Sequence, residues 1–358
     1  MRILVITLAG IGDTLMCTPL IHELRANFPD ATIDAFVLWA GSRDMLELNP
    51  HLNRIWQRNL ISGSRLGSLR FLAGLRRERY DVSLNSHPQS RIHYRIVARL
   101  IAAQTRVSHE YDGSGMLDRL LVNRTVPQSY TRHTIENNLS LLPLIGAQSK
   151  LASHDIELSL SASDEEWARQ FLAAHGLADC QRLGIHIGSG GTKNLALRRW
   201  PLDHYAGLIR RLKETRPALR ILLLGGPSEA EEQAQLIAAV GSHSVFSVNS
   251  GNLRQAATLV GKCHAFLSVD TALMHVAAAM KVPGQIVIET PTVNPTIVPY
   301  GNPFTLVPNP AVAGRNLEYY RYDGRGIQGS AEELTRCMAS VTVDQVHAAV
   351  ESALQVPR

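Results

Sequence analysis

The sequence predicts an α/β fold of two doubly wound domains in tandem, with a cleft between them. Three observations lead there. The chain is 358 residues long, roughly two domains at the usual size. Short apolar, β-rich runs alternate with stretches of helical spacing throughout, as in parallel sheets with crossover helices. The alternation also comes as two series, and the break between them falls near 155–180.

In the first series, 2–8 and 32–38 read as strands and 82–84 as a third, while 15–28 and 92–103 carry helical spacing. A polar, strand-like stretch at 153–163 leads into a helix over about 164–175. The second series has buried-looking strands at 183–187, 220–224, 265–269 and 285–288. Helical patterns at 202–214, 230–240 and 253–261 separate them, and a last helix covers 343–354. The expected domains are 1–165 and 176–342, with 343–358 a terminal helix free to pack back on the first domain.

Composition narrows the function. Hydrophobic residues at 45% against 19% charged exclude a disordered chain. No apolar run approaches the roughly 20 residues of a membrane-spanning helix, and the opening segment is too short for a secretory signal. Cys17, Cys180, Cys263 and Cys337 form no C-x-x-C pair, which argues against a zinc site or a disulfide framework. A cytoplasmic protein is expected. The net charge of +5 is unevenly spread: ten arginines against Glu78 and Asp81 between 54 and 99 give +8 locally. Such a stretch is either a solvated helix face or a surface for an anionic partner, and arginine suits carboxylate and phosphate. Basic charge is not interleaved with aromatics in any recognised module, so no nucleic-acid partner is expected.

Four motifs could carry chemistry. The first, Gly10-Ile11-Gly12-Asp13-Thr14, follows strand one directly. Leu15 stands where a dinucleotide fingerprint needs a third small residue, so a dehydrogenase is a poor fit. What remains is a carboxylate, Asp13, at a strand C-terminus, acting on a ligand or merely capping the helix. The second is a glycine-rich loop, Gly188-Ser189-Gly190-Gly191-Thr192-Lys193, leading to Arg198-Arg199-Trp200-Pro201. Its backbone N–H groups with Lys193, Arg198 and Arg199 would hold a diphosphate, the alternative being an ordinary basic surface loop. No Gly-Lys-Ser/Thr follows, so it is not a P-loop. The third ends a strand at Gly225-Gly226-Pro227-Ser228-Glu229, where Glu229 either accepts from ribose hydroxyls or favours the helix N-terminus. The fourth places Asp270-Thr271 between a buried strand and a small-residue helix bearing His275 one turn in. A helix N-terminus there is an anion site, with Thr271 and His275 on one face.

Together these motifs resemble glycosyltransferase family 9, the lipopolysaccharide heptosyltransferases. The matching residues are Gly10-x-Gly12-Asp13 with Pro19, Arg198-x-Trp200-Pro201, Gly225-Gly226-Pro227-x-Glu229 and Asp270-Thr271-x-x-x-His275-x-x-Ala278. Pro291-Thr292-x-x-Pro295 and Pro299-Tyr300-Gly301 complete the set across nearly the whole chain.

The resemblance implies two tandem Rossmann-like domains in the GT-B arrangement and inverting transfer from a nucleotide sugar, typically ADP-heptose. Asp13 would be the base. Gly188, Ser189, Gly190, Lys193, Arg198, Glu229, Asp270, Thr271, Ala272 and His275 would bind the donor. Gly12, Thr14, His87 and Arg91 would meet the acceptor, an anionic glycan or glycolipid such as the lipopolysaccharide inner core. Peripheral contact with the inner membrane surface follows from such an acceptor. No D-x-D occurs, so neither a metal nor another cofactor is expected. Ala272 stands where the family has glycine after Asp-Thr, Thr290 where it has glycine before Pro-Thr, and 84–91 departs from its usual acceptor strand. Alternatives are transfer to a protein or small molecule from another nucleotide sugar, a nucleotide-sugar 2-epimerase, and a non-catalytic binding protein. An epimerase would need clustered carboxylates and histidines around the sugar, where this chain offers Asp13.

Overall fold

The computed structural model describes residues 1–191, 193–322 and 324–357. Thr192 of the glycine-rich loop, Asp323 of the aromatic and basic tail at 319–326, and Arg358 lie outside them. The chain forms two compact units. Unit one is Met1–Ser159 with Pro295–Ile297 and Tyr322–Gly324, and unit two is the remainder.

Unit one contains β1 (Arg2–Thr7), β2 (Thr32–Val37), β3 (Arg54–Gln57), β4 (Val82–Asn85), β5 (Thr105–Glu110) and β6 (Arg124–Pro127). They form one parallel sheet in the order β3-β2-β1-β4-β5-β6, with Val5 paired to Ala35 on one side and Leu84 on the other. Unit two contains β7 (Arg182–His186), β8 (Arg220–Leu224), β9 (Val245–Ser247), β10 (Ala265–Ser268), β11 (Gly284–Ile288) and β12 (Phe304–Val307). Their order, β12-β11-β10-β7-β8-β9, repeats the doubly wound winding of unit one. In each sheet the winding reverses between the first and fourth strands. A ligand crevice opens at such a switch point, outside the carboxyl ends of those strands.

Alternation of side chains explains why the central strands read as continuous apolar runs. Ile3 and Val5 of β1 pack with Leu20, Ile21 and Leu24 on one face of the sheet. Leu4 and Ile6 pack with Leu72, Leu75, Val97 and Ala98 on the other. In unit two, Leu183, Ile185, Leu223 and Ile286 share a core with Tyr205, Ile209, Val346 and Val350.

The structure corrects several expectations. The last helix, Val343–Ala353, left open by the sequence to pack on either half, packs its buried face into the unit two core. The segment 153–163 pairs with no strand. It follows residues tied to the helix Thr18–Asn27, whose fully buried Glu23 carboxylate accepts the N–H groups of Lys150 and Leu151. Its own Glu157 N–H donates to Thr18 Oγ1 at 2.9 Å. The helix expected over 15–28 is two, Ile11–Leu15 and Thr18–Asn27. Strands β3, β5, β6, β9 and β12 went unread because they are mixed in polarity, four of them at an edge and β5 beside one, and therefore partly in water.

Candidate functional site

The unit two crevice is built at the carboxyl ends of β7 and β10. The chain leaves β10 through Val269 and Asp270, and Thr271 caps the helix Ala272–Ala279 by accepting from the Met274 N–H. The first turn of that helix therefore keeps N–H groups directed at the crevice, where an anion is favoured. Thr271 Oγ1 also lies 3.0 Å from Nδ1 of His186, the last residue of β7. Burial drives the His186 pKa down to about 4, so a neutral imidazole meets Thr271 at physiological pH.

Arg198 closes the other side. It ends a short 3-10 helix, Leu195–Arg198, and its Nη1 donates to Asp270 Oδ2 at 2.7 Å and to Thr292 Oγ1 at 3.2 Å. Both charged side chains are about 10% exposed, so the pair is largely desolvated and each ion depends on the other. The neighbouring Arg199 donates from Nε to Ser189 Oγ and from Nη1 to both Glu232 oxygens, and pairs with Glu229 at 3.5 Å.

Two glycines make room for Glu229. A Cβ on Gly188 would meet Glu229 Cγ at 2.6 Å, and one on Gly225 would lie 3.3 Å from Glu229 Cβ. Glu229 Oε2 accepts from the Gly226 N–H at 2.7 Å and Oε1 from Ser228 Oγ at 2.9 Å. The carboxylate thus caps its own short 3-10 helix, Pro227–Glu229, while standing against the loop after β7. Glu289 and Thr290, where the sequence departs from the family, organise the loop beyond β11. Glu289 accepts from the Asn309 N–H, and Thr290 Oγ1 accepts from the Thr292 and Val293 N–H groups.

The expected donor residues thus divide. Arg198, Asp270 and Thr271 form one group, and Gly188, Ser189 and Glu229 form another around Arg199, the two joined through the neighbouring residues 198 and 199, with Ala272 opening the helix beside the first. His275 is buried one turn along. Gly190 and Lys193 are exposed, and Lys193 lies with its Nζ 5.8 Å from the centre of the Tyr320 ring. His186 and Thr292 were not foreseen as site residues. A histidine closing a buried strand beside Gly188 was the available signal for the first, and the Pro291-Thr292 pair for the second.

In unit one, Asp13 is the third residue of the helix Ile11–Leu15, after β1. Its Oδ2 accepts from the Gly10 N–H at 2.7 Å, and the side chain is half-buried. The cap is thus present, and it holds the carboxylate at the switch point of its sheet. Its charge helps raise the pKa of Tyr94, after the larger effect of burial. Thr14 is fully buried, donating to Ser42 Oγ at 2.9 Å and lying 3.1 Å from the Gly10 carbonyl oxygen, so it positions the turn and touches no solvent. Gly12 is half-buried in the same turn.

His87 is also fully buried, with Nδ1 3.1 Å from the Tyr111 hydroxyl and its ring edge-on to Tyr322. In this structure it orders the loop after β4 and reaches no acceptor, contrary to expectation. Arg91, exposed at the start of the helix Ile92–Ile101, donates to the Gly324 carbonyl. The aromatic and basic tail therefore has distinct local roles: Tyr320 flanks Lys193, while Tyr322 packs on His87.

Among the described residues, one group brings three metal-ligating atoms together. His22, His51 and Glu157 have ligand atoms within 4.8 Å of one another. The two imidazoles stack at 3.8 Å, and His22 Nδ1 lies 2.5 Å from Glu157 Oε1. The His22 contact tethers Glu157 to the helix Thr18–Asn27.

Comparison with known proteins places this geometry in context. A family model described as glycosyltransferase family 9 (heptosyltransferase) matches residues 68–318. Lipopolysaccharide heptosyltransferase 2 of Salmonella typhimurium is 28% identical over 308 residues, covering 79% of this chain and 81% of the relative. Lipopolysaccharide heptosyltransferase 3 of Escherichia coli K12 is 25% identical over 287 residues, covering 76% and 78%. A family 9 glycosyl transferase structure from Veillonella parvula superposes with a TM-score of 0.78 at 21% identity, over 99% of this chain and 97% of the other. The E. coli ADP-heptose heptosyltransferase II structure superposes at 0.71 and 20% identity, over 99% and 98%, and so shares the fold.

Proposed function

The chain belongs to glycosyltransferase family 9, and from that premise we propose that it transfers heptose from ADP-heptose to a hydroxyl of an anionic glycolipid. The relatives' names, lipopolysaccharide heptosyltransferases, support the sugar and the acceptor class. One observation carries the site assignment: the Arg198 guanidinium, held on Asp270 and Thr292, stands with the capped helix start at Thr271 at a sheet switch point. That combination of a desolvated cation and helix N–H groups suits a diphosphate that gains charge as it departs.

In the proposed reaction Asp13 accepts the proton of the acceptor hydroxyl. The freed oxygen lone pair forms a bond to the anomeric carbon, and the bond from that carbon to the diphosphate oxygen breaks. Its electron pair leaves on ADP, whose added charge is met by Arg198 and the helix start. A single displacement inverts the anomeric centre. Glu229 would accept from the nucleoside, and Arg199 and Ser189 would hold the loop after β7 in place. Among the acceptor residues, Gly12 and Arg91 remain in the proposal, while Thr14 and His87 act by positioning the turns around them. No helix among the described residues is long and apolar enough to cross a membrane. A glycolipid acceptor would be met at a membrane surface, and a cytoplasmic location at that surface is part of the proposal.

Titration calorimetry with ADP, UDP and GDP, followed by turnover of ADP-heptose by Asp13→Asn, tests this reading. We expect ADP to bind selectively, and Asp13→Asn to keep that binding while losing about a hundredfold or more in kcat. A preference for UDP or GDP would discard heptose as the donor. Unchanged turnover in Asp13→Asn would remove the base.

A further inference from the structure

Three consecutive crossover helices of unit one adjoin one another: Arg65–Arg77, Ile92–Ile101 and Met116–Leu121. The inward sides of the first two, through Leu72, Leu75, Val97 and Ala98, cover one face of the sheet. Their outward sides are the unusual feature. Nine of the thirteen exposed large apolar side chains among the described residues lie between 61 and 120. On the first helix Leu66 and Leu69 are 58% and 54% exposed, and on the third Leu117 and Leu120 are 56% and 68% exposed. Ile96 and Leu100 stand out from the second helix between them.

Charge on these outward sides has one sign. The first helix presents Arg65, Arg70, Arg76 and Arg77 in the same stripe as Leu66 and Leu69, and contains no acidic residue. The second adds Arg99. The one acid within the three helices, Asp118, is turned inward to a buried ion pair with Arg95 at 3.1 Å. A solvated helix face would carry both signs and few leucines. A surface for another folded protein would be enriched in aromatic side chains, and none of these exposed large apolar side chains is aromatic. Apolar side chains alternating with arginine, whose long stems let the charge stay at headgroup level, fit an anionic lipid surface.

We infer that the outward face of these three helices is where the protein docks on an anionic bilayer, Leu66, Leu69, Ile96, Leu100, Leu117 and Leu120 entering the headgroup boundary and the arginines meeting lipid phosphates. This deepens the proposed function, resting on its membrane-anchored acceptor, and assigns that contact to particular residues.

Co-sedimentation of the full chain with vesicles of phosphatidylethanolamine and phosphatidylglycerol, against phosphatidylcholine alone, tests it. Binding is expected only to the anionic vesicles and is expected to weaken with salt. At about fivefold per arginine near such a surface, Arg70→Ser/Arg77→Ser should weaken it about tenfold or more. Leu66→Ser/Leu69→Ser should weaken it comparably, with an unchanged thermal midpoint and unchanged ADP affinity. Arg210→Ser/Arg336→Ser, which removes two exposed arginines from unit two, should bind as the wild type does. The assignment is overturned if the wild type ignores anionic vesicles, if the control pair loses as much as the test pair, or if the leucine variant merely turns a dimer into a monomer. ADP binding read in the same samples separates this failure from failure of the transferase reading.

Discussion

Arg198 and Asp270, seventy-two positions apart in sequence, form a 2.7 Å ion pair that joins the loop after β7 to the end of β10. Breaking such a pair leaves one charge buried alone, at about 3 kcal/mol. Arg198→Ala should therefore lower stability to urea by about that amount and weaken nucleotide binding as well. Arg198→Met/Asp270→Leu should regain most of the stability and none of the binding. If the double variant binds ADP normally, the pair is structural and the diphosphate lies elsewhere.

Gly188 and Glu229 are in steric contact, so their substitutions should be coupled. A Cβ at 188 would press on a Glu229 side chain pinned by Gly226 and Ser228. Gly188→Ala should cost about 1–3 kcal/mol. Adding Glu229→Ala should recover a large part of that cost, which urea denaturation of the two single variants and the double would reveal. Simple additivity would mean that the loop moves aside freely.

Thr271 has two partners, the Met274 N–H that it caps and His186 Nδ1. Thr271→Ala should cost about 1 kcal/mol of stability through the lost cap. Donor affinity should fall too, because the helix start loses its order. Thr271→Ser retains the hydroxyl and should keep both properties. Calorimetry with ADP on the two variants distinguishes the hydroxyl from the methyl.

Acid should destabilise the fold in a defined window. Burial holds His109 and His186 to a pKa of about 4, against about 6.5 in an unfolded chain. Between those values the unfolded state takes up protons that the folded state refuses. Stability is therefore full above pH 6.5 and falls as the pH drops toward 4, by up to about 3 kcal/mol for each such histidine. His109 is fully buried, with Nε2 on the Asn137 carbonyl, so His109→Gln keeps a donor there while removing the titration. The urea midpoint of His109→Gln should vary less between pH 7 and pH 5 than that of the wild type. An equal slope would clear His109 of the effect.

The central strands and the switch-point motifs were legible in the sequence, since burial on both faces demands apolar residues at every position. Thus 220–224 read as a strand to the residue, and β1, β2, β7, β10 and β11 to within one residue at either end. Gly12-Asp13 after β1 and Asp270-Thr271 after β10 marked the strand ends at the switch points, because turns and helix starts need those residue types locally. The edge strands were not legible, since half their surface faces water and their composition resembles that of loops. Nor could sequence decide between two uses of one residue. His87 looked available to an acceptor and is fully buried; Arg198 looked like a free cation and is held by Asp270 and Thr292. The arginine stretch had two readings until the helices were seen side by side, with their leucines and arginines on one outward face. Periodicity and local propensity act over a few residues, and they fixed the elements. Which side chains are desolvated, paired or left outward depends on neighbours tens of residues away, and that only the tertiary packing decided.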